Sequence, residues 1–222
     1  MKNKENAVLL SILIGFLLLF IAMSITVFVT GGNPLIDTAI RDFAYDIRGD
    51  KGGFIFWVFR ILTEFGDIIF IVFIAVLGLF YTKLDNRFLV FVFGMLFAVL
   101  LNTAFKEVFS RERPYEIYRW MEEESKSFPS GHSVNAAYIF SMVMFTIYKS
   151  NYKKSIKLAT YITCGTLIPI VMISRIILGV HFFTDTIAGA SLGIMVASLC
   201  MLLNNLLTSR NILTEGLLKK SK

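Results

Sequence analysis

The stretch Ser174-Arg-Ile-Ile-Leu-Gly-Val-His-Phe-Phe-Thr-Asp185 sets four polar side chains, Ser174, Arg175, His181 and Asp185, into otherwise nearly continuous apolar sequence. Ionisable groups within or at the edge of a membrane segment are costly to desolvate, so each needs a partner or a task. The stretch therefore separates two membrane spans and marks a functional site at the same place.

The composition agrees with that reading. Of 222 residues, 56% are hydrophobic and only 17% charged, more apolar sequence than one soluble core needs. We expect an all-α integral membrane protein, a single membrane-embedded domain over residues 1–222. The net charge of +6 is spread over the gaps between apolar runs, as in loops facing lipid headgroups. Nucleic acid is therefore not an expected partner, and no obligate protein partner is evident. Cys164 and Cys200 lie inside apolar runs and read as small core residues.

Six spans follow from the hydropathy, each near the roughly 20 residues that cross a bilayer. They run from about Ala7 to Val29, Phe54 to Tyr81, Phe88 to Phe105, His132 to Tyr148, Leu158 to Leu178 and Phe182 to Leu207. The first is longer than a usual signal-peptide core, with Ala22-Met-Ser24 as the rival cleavage site, and is expected to stay as an anchor. Asn33-Pro34 signals a helix start, Asn as cap and Pro at the first helical position. The following Ile36, Ile40, Phe43 and Ile47 share a face, with Asp37, Arg41, Asp42 and Asp46 around the rest, which suggests an interfacial helix or a linker lying on the membrane. Arg60 and Glu64 are spaced to pair on one helix face. Lys83 to Arg87 is a turn, Lys149 to Lys157 a basic turn, and Lys219, Lys220 and Lys222 close a basic tail. Six spans put both termini on one side. With the termini inside, twelve of the 22 Lys and Arg fall inside and ten outside; with Lys106, Arg113 and Arg175 set apart as site residues, seven remain outside, which favours cytoplasmic termini in the cell membrane.

In that orientation three polar clusters share the outer face: Lys106 with Arg113-Pro114, Pro129-Ser130-Gly131-His132, and Ser174-Arg175 with His181 and Asp185. Lys106, Arg113 and Arg175 supply positive charge, and the arginine forks suit phosphate oxygens. Ser130, Gly131 and His132 open a helix whose free N–H groups favour an anion, Gly131 allowing close backbone approach. His181 and Asp185 are one turn apart, so the carboxylate can orient one ring nitrogen and leave the other free to attack. His132, from a different helix, can protonate a leaving oxygen. Such a set fits phosphoryl transfer through a phosphohistidine. A metal centre is disfavoured, because the two histidines of the chain have cationic neighbours that repel a divalent ion. No cofactor is called for.

The pattern Lys106-x6-Arg113-Pro114, Pro129-Ser-Gly-His132 and Ser174-Arg175-x5-His181-x3-Asp185 resembles the three-part signature of the type 2 phosphatidic acid phosphatase family. It covers about residues 88–207, and every motif position matches. The resemblance implies a six-helix membrane fold and metal-independent removal of phosphate from a lipid phosphate or pyrophosphate. It implies His181 as nucleophile, His132 as acid and Asp185 as orienter, with Lys106, Arg113, Ser130, Gly131, His132, Ser174 and Arg175 on the phosphate. Phosphatidylglycerophosphate, undecaprenyl pyrophosphate and phosphatidic acid are the candidate substrates. Related vanadate-dependent haloperoxidases are soluble, and six spans argue against that branch. Transfer of the phosphoryl group to a lipid or sugar acceptor is the alternative. A transporter is less favoured, because no charged path crosses the midplane. Tyr115 and Trp120 are expected among lipid headgroups, and Glu122 to Glu124 either gate the site or are simply solvated.

Overall fold

The computed structural model describes residues 2–82 and 86–209; the centre of the turn expected at 83–87 and the basic tail from Arg210 lie outside them. The described residues form eight α-helices and no strand. They are α1 (Lys2–Val29), α2 (Leu35–Arg48), α3 (Phe54–Thr63), α4 (Ile68–Thr82), α5 (Asn86–Phe109), α6 (Gly131–Lys149), α7 (Lys154–Ile177) and α8 (Phe183–Ser209), with single 3-10 turns at Glu64–Gly66 and Glu116–Tyr118.

The spans differ in what surrounds them. In the most apolar window of α8, 67% of residues are buried, against 22% in α5 and 11% in α1 and in α7, so α8 is the central helix. It packs face to face with α6, whose residues Ser133, Val134 and Ala136 to Met142 are buried. Glycine makes the approach possible. A Cβ added at Gly189 would lie 2.4 Å from the Ser130 carbonyl oxygen, and one at Gly193 would lie 2.4 Å from the Val134 carbonyl oxygen. The two glycines are four apart and share one face, the small-x3-small spacing by which helices meet closely in lipid, where no hydrophobic drive pushes them together. α5 closes on the same pair through Gly94, beside Cys200 Sγ and the Tyr138 hydroxyl. Tyr138 donates to the Phe91 carbonyl at 2.7 Å. At the far end, Asn205 Nδ2 donates to Glu5 Oε1 at 2.8 Å and to Asn6 Oδ1 at 2.9 Å, and Lys149 pairs with Glu5 at 2.5 Å. The start of α1 and the ends of α6 and α8 therefore meet there, opposite the motif residues.

Several sequence expectations are corrected. The second span is not one straight helix: residues Phe54–Gly66 and Ile68–Gly78 meet at 47°, because the chain takes a 3-10 turn at Glu64–Gly66 and restarts after Asp67. Among the described residues, four helices are long and apolar enough to cross a membrane, five with the bent pair counted as one span. α6 falls below that measure, since His132, Ser133 and Asn135 occupy its first turns; it is enclosed by other helices instead of lipid. Six spans is thus an approximate count. Pro34 holds the N-cap position of α2, with no side-chain cap from Asn33.

The face of α2 is the reverse of a soluble helix. Asp37, Ala44 and Arg48 are buried, while Leu35, Ile36, Phe43 and Ile47 are exposed. Arg48 Nη1 donates to the Tyr118 and Ile177 carbonyls at 2.5 and 3.1 Å, and its guanidinium lies 4.3 Å above the Trp120 ring. Trp120 is buried among Ala44, Ile177, Leu178 and Val180, not among headgroups, because its backbone N–H is held by the Leu178 carbonyl at 2.9 Å. Tyr115 remains exposed. Cys164 and Cys200 are free and buried, and Arg60 pairs with Glu64.

Candidate active site

Four helix ends deliver the polar clusters to one place. Lys106 is in the last turn of α5 and Arg175 in the last turn of α7; His132 opens α6 and Asp185 opens α8. His181 sits in the turn between α7 and α8, which is shaped by Gly179 at φ 72°. A Cβ there would fall 1.7 Å from the Tyr118 carbonyl oxygen, so glycine answers both the left-handed conformation and the lack of room. The turn closes through Val180 and His181 N–H groups, both bonded to the Arg175 carbonyl at 3.2 and 3.3 Å.

A cavity of about 510 Å³ lies at this end of the bundle. Lys106, Arg113, Gly131, His132 and His181 line it, together with Asn102, Thr103, Glu123 and Ser125. Ser130, Ser174, Arg175 and Asp185 do not line it. Ser130 and Ser174 are fully buried; Ser174 Oγ donates to the Val171 carbonyl of its own helix at 2.6 Å, and Ser130 Oγ accepts from Ser133 Oγ at 3.1 Å. Arg175 is 0% exposed, with Nη1 on Thr63 Oγ1 at 3.0 Å and Nη2 on Glu123. Its Nε–H is buried without a partner.

His181 is buried, and its two nitrogens meet different groups. Nε2 is 3.1 Å from Arg113 Nη1; since a guanidinium can only donate, Nε2 carries the lone pair. Nδ1 then bears the proton and faces Asp185 Oδ2 at 3.5 Å. Burial first, and then the charges of Arg113, Arg175 and Lys106, hold the His181 imidazole well below the usual histidine range. The Arg113 donor thus favours the neutral ring, whose Nε2 lone pair it takes up, and both residues line the cavity. Arg113 is further fixed by donating to the Val180 and Ser125 carbonyls, both at 2.6 Å. Lys106 Nζ donates to Ser125 Oγ at 3.1 Å and to the Lys126 carbonyl.

The carboxylate of Asp185 has partners that the motifs do not include. Oδ1 accepts from Arg111 Nη1 at 2.5 Å; Oδ2 accepts from Ser127 Oγ at 2.6 Å and from the Phe182 N–H at 2.9 Å. Arg111 in turn reaches Asp37 Oδ2 at 2.7 Å, and Asp37 Oδ1 accepts from the Thr184 N–H at 2.8 Å. Asp37, Arg111 and Asp185 are 1%, 4% and 0% exposed, so this is a buried carboxylate–guanidinium–carboxylate triad behind the histidine. Arg111 stood in the sequence as one of several charges between Lys106 and Lys126. Ser127 carried no spacing signal, and Asp37 read as one of the polar residues around an interfacial helix. Glu123 bridges two motif cations, Arg175 and Arg113, the latter at 3.7 Å, so a carboxylate stands against the arginine forks suited to an oxyanion. Cations facing a neutral imidazole, with a second histidine opposite, suit an oxyanion far better than a metal ion.

A sequence model of the PAP2 superfamily matches residues 87–209. Phosphatidylglycerophosphatase B of Bacillus subtilis (strain 168) is 40% identical over 123 residues, which cover 53% of this chain and 57% of that relative's length. The crystal structure of a transmembrane PAP2-type phosphatidylglycerolphosphate phosphatase from Bacillus subtilis superposes with a TM-score of 0.69 at 30% identity, covering 86% of this chain and 93% of that one. That of Aquifex aeolicus LpxE gives 0.58 at 19% identity, covering 74% and 93%, a likeness of fold alone.

Proposed function

The chain belongs to the PAP2 superfamily and is a multi-pass membrane protein, and from that premise we propose that it hydrolyses the phosphate of a lipid phosphate. The observation that carries the reading is His181 Nε2, an acceptor from the Arg113 donor at 3.1 Å, on a cavity that Lys106 and Arg113 also line and that His132 enters from a second helix. When that guanidinium turns its donor to a phosphate oxygen, the lone pair is released toward phosphorus.

In the reaction we propose, Lys106 and Arg113 neutralise the non-bridging oxygens from the cavity wall, and the buried Arg175 guanidinium adds its positive charge from behind it. His181 Nε2 attacks phosphorus while His132 protonates the departing lipid oxygen. Water then attacks the phosphohistidine and His132 takes its proton. Asp185, held by Arg111 and Ser127, keeps His181 in the tautomer whose Nε2 is free. Ser130, Gly131 and Ser174 shape the helix ends that carry these groups. The two Bacillus subtilis proteins named above are phosphatases by name, which favours water over another acceptor. Their names make a phosphatidylglycerophosphate-type monoester the first substrate to test. The charge distribution supports a site at the outer face of the cell membrane, with the helix ends near Glu5 and Asn205 cytoplasmic, and the exposed apolar face of α2 suits a helix lying against lipid.

The test is phosphate release by purified protein in detergent with chelator present. Comparing phosphatidylglycerophosphate, undecaprenyl pyrophosphate, phosphatidic acid and a soluble ester on one preparation ranks the substrates. Wild type should release phosphate and His181→Ala should not; activity surviving in His181→Ala would remove the nucleophile from this account.

A further inference from the structure

The bend between α3 and α4 sits directly against His132, in a contact that none of the three motifs includes. A Cβ added at Gly66 would lie 2.7 Å from the His132 carbonyl oxygen and 3.0 Å from His132 Cβ, so the two segments are as close as glycine permits. Asn135, on the first turn of α6, donates from Nδ2 to the Gly66 carbonyl at 3.0 Å and pins the bend there. The next residue is Asp67. Its Oδ1 accepts from the Ile69 N–H at 2.8 Å, which fixes the carboxylate and leaves Oδ2 facing His132 Nε2 at 3.7 Å.

His132 needs such a neighbour. When it is protonated it adds a positive charge to a site that already holds Lys106, Arg113 and Arg175, and like charges oppose that state. Asp67 is the carboxylate placed against it. We propose that Asp67 is a positioning residue for the acid: it takes the Nε2–H of His132, so that Nδ1 is the nitrogen that exchanges protons with the reacting groups, and it steadies the imidazolium.

This rests on the phosphatase reading above. In the first step the bond from His181 Nε2 to phosphorus forms as the bond from phosphorus to the lipid oxygen breaks. The Nδ1 proton of His132 passes to that oxygen, and a neutral ring remains with Nε2–H toward Asp67. In the second step a water oxygen bonds to phosphorus, the phosphorus–nitrogen electron pair returns to His181, and the water proton goes to His132 Nδ1. The imidazolium opposite Asp67 is restored.

The experiment compares two substrates of one enzyme in detergent: a dialkylglycerol phosphate, whose alkoxide needs a proton to leave, and p-nitrophenyl phosphate, whose phenolate does not. Asp67→Asn is expected to lower kcat/KM, which reads only the first step and not the water attack common to both esters, roughly tenfold to a hundredfold on the alkyl ester, part of what a general acid contributes. It should leave kcat/KM of the aryl ester within about threefold of wild type. In a His132→Ala background Asp67→Asn should cost nothing further on the alkyl ester, because the two act as one unit, and Asp67→Glu should recover part of the loss. Equal losses on both esters, an added loss in the His132→Ala background, or full alkyl activity in Asp67→Asn would each overturn the proposal. If Asp67→Asn does not accumulate folded, Asp67→Ser carries the same comparison. Wild type inactive on both esters would instead count against the phosphatase reading itself.

Discussion

Replacing Arg111 with methionine is the sharpest test of how the nucleophile is held. Arg111 donates to Asp185 at 2.5 Å and to Asp37 at 2.7 Å, and all three side chains are at most 2% exposed. Methionine fills similar space but leaves two buried carboxylates without their cation. Breaking a buried ion pair by removing one partner costs about 3–5 kcal/mol, here offset in part by the bonds Asp185 keeps to Ser127 and Phe182 and those Asp37 keeps to Thr184. For a chain of this size that is a fall in Tm on the order of 10 °C, measurable by thermal unfolding in detergent. Arg111→Met/Asp37→Leu removes one of the two stranded charges and should recover about half of the fall, a coupling that additive changes cannot mimic. An Arg111→Met protein melting with the wild type, or a double variant no better than the single, would refute the buried triad as a source of stability.

Three further outcomes are expected. The pH profile of kcat/KM should hold its acid limb below the usual histidine range, because burial and the neighbouring cations keep His181 unprotonated. Arg113→Gln removes one of those cations, so His181 takes a proton more easily and the limb should move to higher pH. Glu123→Gln frees Arg113 and Arg175 from a competing carboxylate; assays should find KM for the lipid phosphate and the inhibition constant of inorganic phosphate both lower, by roughly threefold to tenfold. Gly179→Ala should lose activity and melt lower by several degrees, since the residue is held at positive φ against the Tyr118 carbonyl and the left-handed conformation alone costs about 1–2 kcal/mol.

The motif residues were legible because charge in apolar sequence is conspicuous, and because counting spans sends the ends of α5 and α7 and the starts of α6 and α8 to one face. Asp37 was not, for a reason peculiar to membranes. In water an amphipathic helix buries its apolar stripe; beside lipid it turns that stripe outward. The periodicity of α2 shows two faces but not which one meets the protein, and the polar face does. The break before Asp67 was hidden by the apolar run on either side of it, although Gly66 stands at the point of closest approach. Trp120 looked interfacial as an aromatic in a polar loop, yet its backbone N–H donating to the Leu178 carbonyl and the Arg48 guanidinium over its ring draw it inward.

The Asp37–Arg111–Asp185 triad bears on where the functional unit begins. A fragment cut to residues 87–209 would carry every motif side chain and would look sufficient on paper. It would also bring Arg111 without Asp37, and His132 without the bend that holds Gly66 and Asp67 against it. The smallest piece that recognises itself as this family is thus smaller than the smallest piece able to keep its charges balanced. Chimeras that graft the motif-bearing half onto another amino-terminal half should work only when the donor supplies a carboxylate at the place of Asp37.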